Sequence, residues 1–198
     1  MRRGRSKEKR SVVAYRQSNY QQLRNPYPPM KIFSDDQIES IHLSSLKVLQ
    51  QTGIDFQSER AVEILRKSGA IIDSDNKRVR FDPEFVMEKI ATTPSNFIMH
   101  GRSKDKSVSI GGKGVVFSMV SSAPNVSDLD RGRLSGNFED YCNLIKLGEQ
   151  INCVHAHAGY PVEPCDIDPS VRHLDAVGAM TRLSTKPLSG YAIGSARM

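Results

Sequence analysis

The chain has 198 residues, of which 38% are hydrophobic and 25% are charged, enough for the core of one domain or of a domain with an extension. It contains no run of about 18 apolar residues, so no membrane span is predicted, and no apolar segment follows its basic start as in a secretory signal peptide. The three cysteines, Cys142, Cys153 and Cys165, match neither a metal-binding pair nor a disulfide framework. We expect them to be reduced thiols in a cytoplasmic protein.

The net charge of +6 is concentrated at the N-terminus. Residues 1–24 carry eight of the 28 Lys and Arg residues and one of the 22 Asp and Glu residues, so the rest of the chain is close to neutral. This distribution does not favour a nucleic-acid-binding domain. The basic segment is consistent with a phosphate- or partner-binding arm, a mitochondrial presequence or a disordered leader. We predict a disordered tail and a proline-rich linker over residues 1–30.

Residues 31–112 predict a small α+β region. Ser34 and Gln37 form a capping box at the start of a helix that ends at Gly53. The patterns that follow predict a helix over 58–67, a hairpin over 70–81 with its turn at Asp75-Asn76, a helix from Asp82-Pro83 to Thr92, and strands over 96–100 and 107–110.

Residues 113–198 show a different pattern, in which strands and helices alternate. We predict strands over 114–120, 151–158 and 187–194 and helices over 137–150 and 170–184. Alternation of this kind indicates an α/β fold with a parallel sheet, either doubly wound or a TIM barrel. Long polar loops after the strands favour the TIM barrel, whose closure needs eight units and about 250 residues. The region is therefore predicted to form the first three βα units of an incomplete (β/α)8 barrel.

One loop carries a resemblance to a known family. The run from Ala123 to Arg133 reads APNVSDLDRGR, and it occurs with NPY at 25–27, FDPEFV at 81–86 and TKP at 185–187. In this order the segments resemble the trimethylamine methyltransferase family, which comprises corrinoid-dependent methylamine and quaternary-amine methyltransferases. The resemblance covers about residues 25–198. It implies a TIM barrel preceded by a small N-terminal region, in proteins more than twice as long as this chain.

The resemblance also implies a function. It implies transfer of a methyl group from a methylated amine, such as trimethylamine or a betaine, to the cobalt of a corrinoid carried by a separate partner protein. This chain is then expected to be an N-terminal portion that pairs with whatever supplies the remaining strands, and to bind no corrinoid tightly itself. No catalytic residue is carried over from the family. Two alternatives stay open: a non-catalytic truncated subunit that binds a partner chain, and a metal-dependent barrel hydrolase.

The substrate implied by the resemblance suggests which side chains to consider. A cationic ammonium group is bound by aromatic faces and carboxylates. The candidates on the predicted catalytic face are Asn125, Asp128, Tyr160, Glu163 and Tyr191. Each has a structural alternative: Asn125 and Asp128 cap the loop, the tyrosines pack, and Glu163 is a solvated charge.

His155 and His157 lie two residues apart on the second predicted strand, so their side chains point to the same face. Three interpretations remain: a metal-binding pair, polar residues that line the substrate site inside the barrel, and hydrogen-bonded core histidines. Catalytic zinc needs a third protein ligand, and the only later histidine, His173, lies within a predicted helix. We therefore predict no metal site, and we include both histidines among the substrate-binding candidates.

Overall fold

A computed structural model describes residues 16–73, 77–191 and 194. The chain divides into two compact units, one formed by Pro26–Ser95 and the other by Met1–Asn25 with Asn96–Met198. The helices in the described part are α1 (Asp35–Gln51), α2 (Glu59–Lys67), α3 (Pro83–Ala91), α4 (Phe138–Gln150) and α5 (Arg172–Leu183). The strands in order are β1 (Leu23–Arg24), β2 (Ile54–Asp55), β3 (Ile71–Ile72), β4 (Arg78–Arg80), β5 (Phe97–Met99), β6 (Val108–Ile110), β7 (Gly114–Val115), β8 (Ser118–Met119), β9 (Asn125–Asp128), β10 (Gly132–Ser135) and β11 (Ala156–His157). Among the described residues, no helix has both the length and the apolar character needed to cross a bilayer.

The first helix of the smaller unit begins as its sequence predicts. The Ser34 hydroxyl accepts a hydrogen bond from the Gln37 amide at 3.2 Å, and the Gln37 side chain accepts one from the Ser34 amide at 2.9 Å. The capping box is therefore confirmed. The helix ends before Gly53, which adopts a φ of +70°, as expected for a glycine that stops a helix.

The sheet of the smaller unit has three antiparallel strands in the order β2-β4-β3. Val79 in the central strand is completely buried. The pairing of β3 with β4 confirms the predicted hairpin, although its predicted turn at 75–76 lies outside the described residues. The third helix begins at Asp82, whose side chain accepts from the Glu84 amide at 2.9 Å.

Residues 16–24 of the larger unit contact distant parts of the chain. Leu23 and Arg24 pair antiparallel with Val115 and Gly114. The hydroxyl of Tyr20 donates to the carbonyl of Lys106 at 3.0 Å, and the Lys106 ammonium lies 3.9 Å from the centre of the Tyr20 ring. Residues 16–24 were assigned to a disordered tail from their charge. These contacts offset the entropy cost of ordering them, whereas residues 1–15 lie outside the described part.

The strands β5 and β6 form an antiparallel hairpin that belongs to the larger unit. From the sequence, this pair was predicted to belong to the N-terminal region of residues 31–112. Its two strands were predicted correctly as strands. Their assignment to a unit depends on contacts with distant parts of the chain, such as the hydrogen bond from the Ser103 amide to the Thr185 carbonyl at 3.0 Å.

The parallel core of the larger unit is short. Ser118 and Met119 pair with Ala156 and His157 in parallel, and Leu188 forms a parallel bridge to His157 on the other side. The helices α4 and α5 connect these three segments and pack against each other. The α/β alternation is therefore confirmed, with shorter strands than predicted. Closure into an eight-stranded barrel stays a prediction.

The segment between the first parallel strand and α4 differs from its prediction. Instead of an irregular polar loop, it contains an antiparallel hairpin in which Asn125–Asp128 pairs with Gly132–Ser135. Most of the hairpin side chains are exposed, so the hydrophobic alternation that marks a half-buried strand is missing. The turn of this hairpin lies at 129–131, and Gly132, the first residue of its second strand, has a φ of +70°.

The core of the larger unit lies between α4, α5 and the chain that follows β11. It contains the buried side chains of Tyr141, Ile145, Tyr160, Val162, Ala176, Ala179 and Met180. The Tyr141 hydroxyl donates to the Ala176 carbonyl at 2.9 Å, which satisfies the one polar atom of this side chain in the core.

Candidate functional site

The candidate site lies at the carboxyl ends of the three parallel segments. Ser121 and Ser122 follow β8, Tyr160 follows β11, and Tyr191 follows Leu188. The side chains of this edge come together although the residues are up to 70 positions apart in the sequence. In α/β folds with parallel sheets, ligands bind at this edge because the loops that follow the strands converge there.

The hydroxyl of Tyr191 links all three segments. Its Oη atom lies 2.7 Å from the Oγ of Ser121 and 2.7 Å from the Oγ of Ser122. It also accepts a hydrogen bond from the Tyr160 amide at 3.2 Å. We call Ser121, Ser122 and Tyr191 the hydroxyl cluster.

The backbone of Ser122 is strained. Its φ is +64°, a value that side chains other than glycine adopt at a cost of about 1 kcal/mol or more. The amide of Ser122 donates to the Tyr160 carbonyl at 2.9 Å, which holds the residue in this conformation. Strained backbone of this kind concentrates at functional sites, where the surrounding contacts hold it.

Tyr160 is a packing residue with one edge towards the cluster. It is 4% exposed, and its ring centre lies 5.6 Å from that of Tyr141 and 4.7 Å from that of Tyr191, edge-on in both cases. Burial raises the pKa of its hydroxyl, and the nearby charge of Glu163 raises it further.

Gly159 allows the close approach of these groups. Its φ is +138°, and a Cβ atom at this position would lie 2.6 Å from the Ser121 Oγ and 2.8 Å from the Tyr191 Oη. Both distances are shorter than non-bonded atoms permit. Glycine is therefore required here both for the backbone conformation and for the space that the hydroxyl cluster occupies.

Glu163 lies beside the cluster on the chain that follows Tyr160. Its amide donates to the Ala123 carbonyl at 2.8 Å, which ties the second loop to the first. Its carboxylate lies 3.6 Å from the guanidinium of Arg172. Arg172 is held by the Ile167 carbonyl, to which its Nη2 donates at 2.8 Å. The carboxylate is a quarter exposed, so it can be reached from solvent.

Asp128 has the contacts of a turn-capping residue. Its carboxylate accepts from the amides of Asp130 at 3.0 Å and Arg131 at 2.6 Å. These bonds, first the one from the Arg131 amide, lower the pKa of Asp128. Asn125 pairs with Ser135 in the same hairpin. Both residues therefore have the contacts of residues that shape the hairpin and its turn.

Arg131 fastens the hairpin to the start of α4. Its guanidinium lies 2.6 Å from one carboxylate oxygen of Asp140 and 3.3 Å from the other. Asp140 is 6% exposed and also accepts from the side chain of Asn137 at 2.9 Å. A half-buried hairpin-to-helix link of this kind was not predicted from the sequence.

His155 is a hydrogen-bonded core residue. Its Nδ1 accepts from the Phe117 amide at 3.0 Å, so its Nε2 carries the proton and donates to the Gln21 carbonyl at 3.1 Å. Its ring packs between Tyr20 and Phe117. This position precedes the strand β11 and lies away from the edge where Tyr160 and Tyr191 meet.

His157 is buried towards α4. It is completely buried, and neither ring nitrogen has a hydrogen-bond partner among the described residues. Its ring lies against Gly148, where an added Cβ would be 2.9 Å from the His157 Cε1. Its ring therefore lies on the side of the strand that faces α4. Burial and then the charge of Lys186 lower its pKa to about 4.

No group of three His, Cys, Asp or Glu side chains within the described ranges is arranged to hold a metal ion. The two histidines of the strand have different surroundings, since His155 bonds to backbone groups and His157 lies against a helix.

The profile of the family described as Trimethylamine methyltransferase (MTTB) matches residues 1–198. The chain belongs to this family. It is 35% identical over 170 residues to the glycine betaine methyltransferase of Desulfitobacterium hafniense strain Y51, an alignment that covers 86% of this chain and 35% of the relative. It is 32% identical over 142 residues to the trimethylamine methyltransferase MttB of D. hafniense strain DSM 10664, covering 70% of this chain and 28% of that protein.

A more distant relative is the L-carnitine:corrinoid methyltransferase of Eubacterium limosum, 24% identical over 157 residues, or 79% of this chain and 32% of the relative. The chain thus spans about a third of the length of the curated relatives that it matches. The resemblance that the APNVSDLDRGR run indicates is confirmed at the level of the family.

The structure of this member of the trimethylamine methyltransferase family adds residues to the candidate site that the sequence did not indicate. Ser121 and Ser122 were passed over because two serines after a strand are typical of any loop. Their position directly after the first parallel strand was the available signal. Arg172 was not considered either, since it lies in a helix and reaches Glu163 only through the fold.

A second set of buried polar residues that was not predicted lies at the start of the third parallel segment. Lys186 is completely buried and donates to the carbonyls of Gly148 at 2.6 Å and Ile151 at 2.8 Å. Burial lowers its pKa, an effect that the nearby Glu149 partly opposes. Burial alone would raise the pKa of Glu149, but hydrogen bonds from Thr185 and Ser184 lower it. These residues join the start of the third parallel segment to the end of α4.

Proposed function

We propose that this chain contributes the N-terminal portion of a methyltransferase that moves a methyl group from a methylated amine, such as trimethylamine or a betaine, to a corrinoid protein. We also propose that residues 113–198 supply the first three βα units of its barrel, with the remaining strands coming from outside this chain. The observation that carries the proposal is the convergence of Tyr160, Tyr191 and the two serines at one edge of the parallel core in a member of this family.

The chemistry of the donor supports placing its site at this edge. Methyl transfer breaks a bond between carbon and nitrogen, and the amine leaves with the electron pair of that bond. The protein must hold the positively charged nitrogen and align its methyl group with the acceptor, and alignment of this kind supplies much of the rate. The partly exposed ring of Tyr191 and the carboxylate of Glu163 attract such a cation.

The other candidates have supporting roles in this proposal. Asp128 and Asn125 shape the hairpin beside the site. His155 holds the N-terminal segment through the Gln21 carbonyl, and His157 fills the space between β11 and α4. We assign donor contact to Tyr191 and Glu163, with Tyr160 as the residue that positions Tyr191.

The test is a methyl-transfer assay with a reduced corrinoid protein, followed by the change in its visible absorption on methylation. The 198-residue chain is assayed alone and together with the product of the reading frame downstream of Met198, with trimethylamine, glycine betaine and carnitine as donors. We expect methylation with at least one donor. We also expect that Tyr191→Ala lowers the rate at least tenfold, from the loss of a cation–aromatic contact, whereas Tyr27→Ala, at an exposed position of the other unit, leaves it unchanged. If none of these donors methylates the corrinoid protein in either preparation, the proposal is wrong.

A further inference from the structure

The hairpin of β5 and β6 is covered along one edge and open along the other. On the β6 side, the Ser109 amide donates to the side chain of Gln22 at 2.9 Å, and the Ser109 carbonyl accepts from the same side chain at 2.7 Å. The Gln22 side chain thus occupies the place of a neighbouring strand. Within the described residues, no strand pairs with β5 on its other side.

The backbone of Ile98 points to the open edge. Ile98 lies opposite Ser109 in the antiparallel ladder, and residue pairs in such a ladder alternate between those that exchange hydrogen bonds and those that do not. Because the N–H and C=O of Ser109 are directed to Gln22, this pair is of the second kind. The N–H and C=O of Ile98 are therefore directed away from β6. Neither group has a hydrogen-bond partner in the part of the chain that the structure describes.

The side chains of β5 do not protect this edge. Edge strands are commonly shielded by charged residues, proline or a β-bulge. The three residues of β5, by contrast, are apolar and pair with β6 in unbroken register. Phe97 is 51% exposed and Ile98 is 58% exposed, and because neighbouring residues of a strand point to opposite faces, both faces of β5 are uncovered. Such an edge is a template for the addition of an extended segment.

The segments around the open edge are positively charged. Residues 16–25 and 96–114 are joined by the pairing of β1 with β7 and by the side chain of Gln22. Together they carry six Lys and Arg residues and one acidic residue, Asp105, whose carboxylate accepts from the Ser103 hydroxyl in its own turn. A second copy of the chain would bring like charges together at this edge, whereas an acidic segment would be attracted to it.

Two exposed lysines lie at opposite ends of the hairpin, Lys104 in the turn after β5 and Lys113 after β6. Neither forms an ion pair with a described residue. We infer that the open edge of β5 binds an extended acidic segment of a partner polypeptide, which adds as a further strand. The N–H and C=O of Ile98 bond to its backbone, Phe97 and Ile98 contact its apolar side chains, and the lysines attract its carboxylates. This edge lies outside the candidate site, so the inference does not depend on the proposed function.

Peptide binding to the full chain tests the inference. The probe is a short peptide of alternating glutamate and valine with both termini blocked. The same peptide N-methylated at two adjacent central residues cannot form a strand ladder along either of its edges. A peptide of alternating lysine and valine has the opposite charge. Dissociation constants are measured by NMR titration, in which the amide signals that shift also locate the binding site.

Two variants change the edge, and each has a matched control. Ile98→Pro removes the outward N–H without removing a bond to β6, because proline is tolerated where the N–H of an edge strand faces solvent; Ile98→Val keeps the N–H. Lys104→Gln together with Lys113→Gln removes two charges, and Lys47→Gln removes one at an exposed position of the smaller unit. Thermal unfolding confirms that each variant is folded before binding is measured. The N-methylated peptide tests the same hydrogen bonds if Ile98→Pro does not fold.

We expect the glutamate–valine peptide to shift the amide signals of residues 96–100. It should bind about tenfold or more tightly than either of the other two peptides, the loss expected from one or two backbone hydrogen bonds or from reversed charge. Ile98→Pro should weaken its binding by about tenfold for the same reason. The double lysine variant should weaken it by about threefold at low salt and by less at high salt. Both controls should bind like the unsubstituted chain.

Several results would overturn the inference. These are no binding of the glutamate–valine peptide, equal binding of the three peptides, shifts confined to other parts of the chain, or unchanged binding in Ile98→Pro. Sedimentation of the chain without peptide tests the alternative occupant. Self-association that Ile98→Pro abolishes would assign the edge to a second copy of the chain and would also overturn the acidic segment.

Discussion

The Nζ atom of Lys186 lies 2.6 Å from the carbonyl oxygen of Gly148, inside the core and near the end of α4. Carbonyl groups in the last turn of a helix have no partner within the helix, and a cation there also interacts favourably with the helix dipole. The buried ammonium satisfies the Gly148 carbonyl, and it also donates to the carbonyl of the C-cap residue Ile151, which accepts a second hydrogen bond from the Val154 amide at 3.1 Å.

Replacement of this lysine is expected to destabilise the larger unit. Lys186→Met keeps most of the volume of the side chain but leaves the Gly148 carbonyl without its donor and the Ile151 carbonyl with the Val154 amide alone. The loss of these bonds to a charged group costs about 1.5–3 kcal/mol. Urea unfolding measures the free energy of unfolding. The control is Lys146→Met, at an exposed position of α4. It should change the free energy of unfolding by less than about 0.5 kcal/mol. An unchanged value for Lys186→Met would show that the burial of the charge costs as much as its hydrogen bonds contribute.

The buried ring of His157 predicts a loss of stability in acid. Its pKa is about 4 in the folded protein against an ordinary value of 6.5. As the pH falls below 6.5, the imidazole of His157 is protonated in the unfolded chain but stays neutral in the folded one. The free energy of unfolding therefore decreases progressively from pH 6.5 down to pH 4. The difference amounts to about 3 kcal/mol.

The measurement is the free energy of unfolding between pH 7.5 and 4 for the unsubstituted chain and for His157→Leu. We expect the variant to lose about 3 kcal/mol less over this range, because leucine binds no proton. Parallel curves for the unsubstituted chain and His157→Leu would rule out the assignment.

Gly148 and Gly178 are both helical glycines and should respond oppositely to alanine. A Cβ on Gly148 would lie 2.9 Å from the His157 Cε1 and 3.1 Å from the Met119 Sδ, whereas one on Gly178 meets first the flexible end of Arg182 at 3.3 Å. We expect Gly148→Ala to lower the free energy of unfolding by about 1–3 kcal/mol through overpacking. Gly178→Ala should raise it by up to about 1 kcal/mol through helix propensity. Thermal unfolding distinguishes the two, and stabilisation by Gly148→Ala would contradict the packing of His157 against α4.

The link between Arg131 and Asp140 is expected to hold the hairpin on α4. Arg131→Lys keeps the charge but cannot reproduce the two-pronged contact with the carboxylate. We expect faster hydrogen exchange of the amides in 125–135. Arg133→Lys changes an arginine on the same hairpin whose side chain is exposed, and its exchange rates should match those of the unsubstituted chain. Equal hydrogen-exchange rates in both variants would mean that the backbone pairing within the hairpin holds it in place without the Arg131–Asp140 contact.

Much of the secondary structure was predictable because its signals are local. The Ser34 capping box, the Asp82 cap and the Asn137 cap each involve neighbouring residues, and each helix begins where the caps indicate. The hairpin over 125–135 was missed because both of its strands are largely exposed and lack apolar alternation. The short strand at 23–24 was missed because its partner lies about 90 residues away.

The candidate site was predicted in part for the same reason. Tyr160 and Glu163 were candidates because they follow a predicted strand, and Tyr191 was a candidate because it lies near the end of another. Ser121 and Ser122 became candidates only through their contacts with the hydroxyl of Tyr191, about 70 residues later in the chain. The sequence left open what surrounds the ring of His157, because alternation along a strand gives two faces without saying which one meets the helix.

The sequence by itself determined the helices, the alternation of strands and helices after residue 113, and the family to which the chain belongs. These follow from short-range patterns: caps, turn residues and the APNVSDLDRGR run. Only the tertiary structure decided which hydroxyls meet at the edge of the parallel core, which face His157 occupies and where the buried Lys186 finds its partners. Those outcomes depend on contacts between distant segments, whose geometry is set by packing and by the requirement that buried polar groups be satisfied.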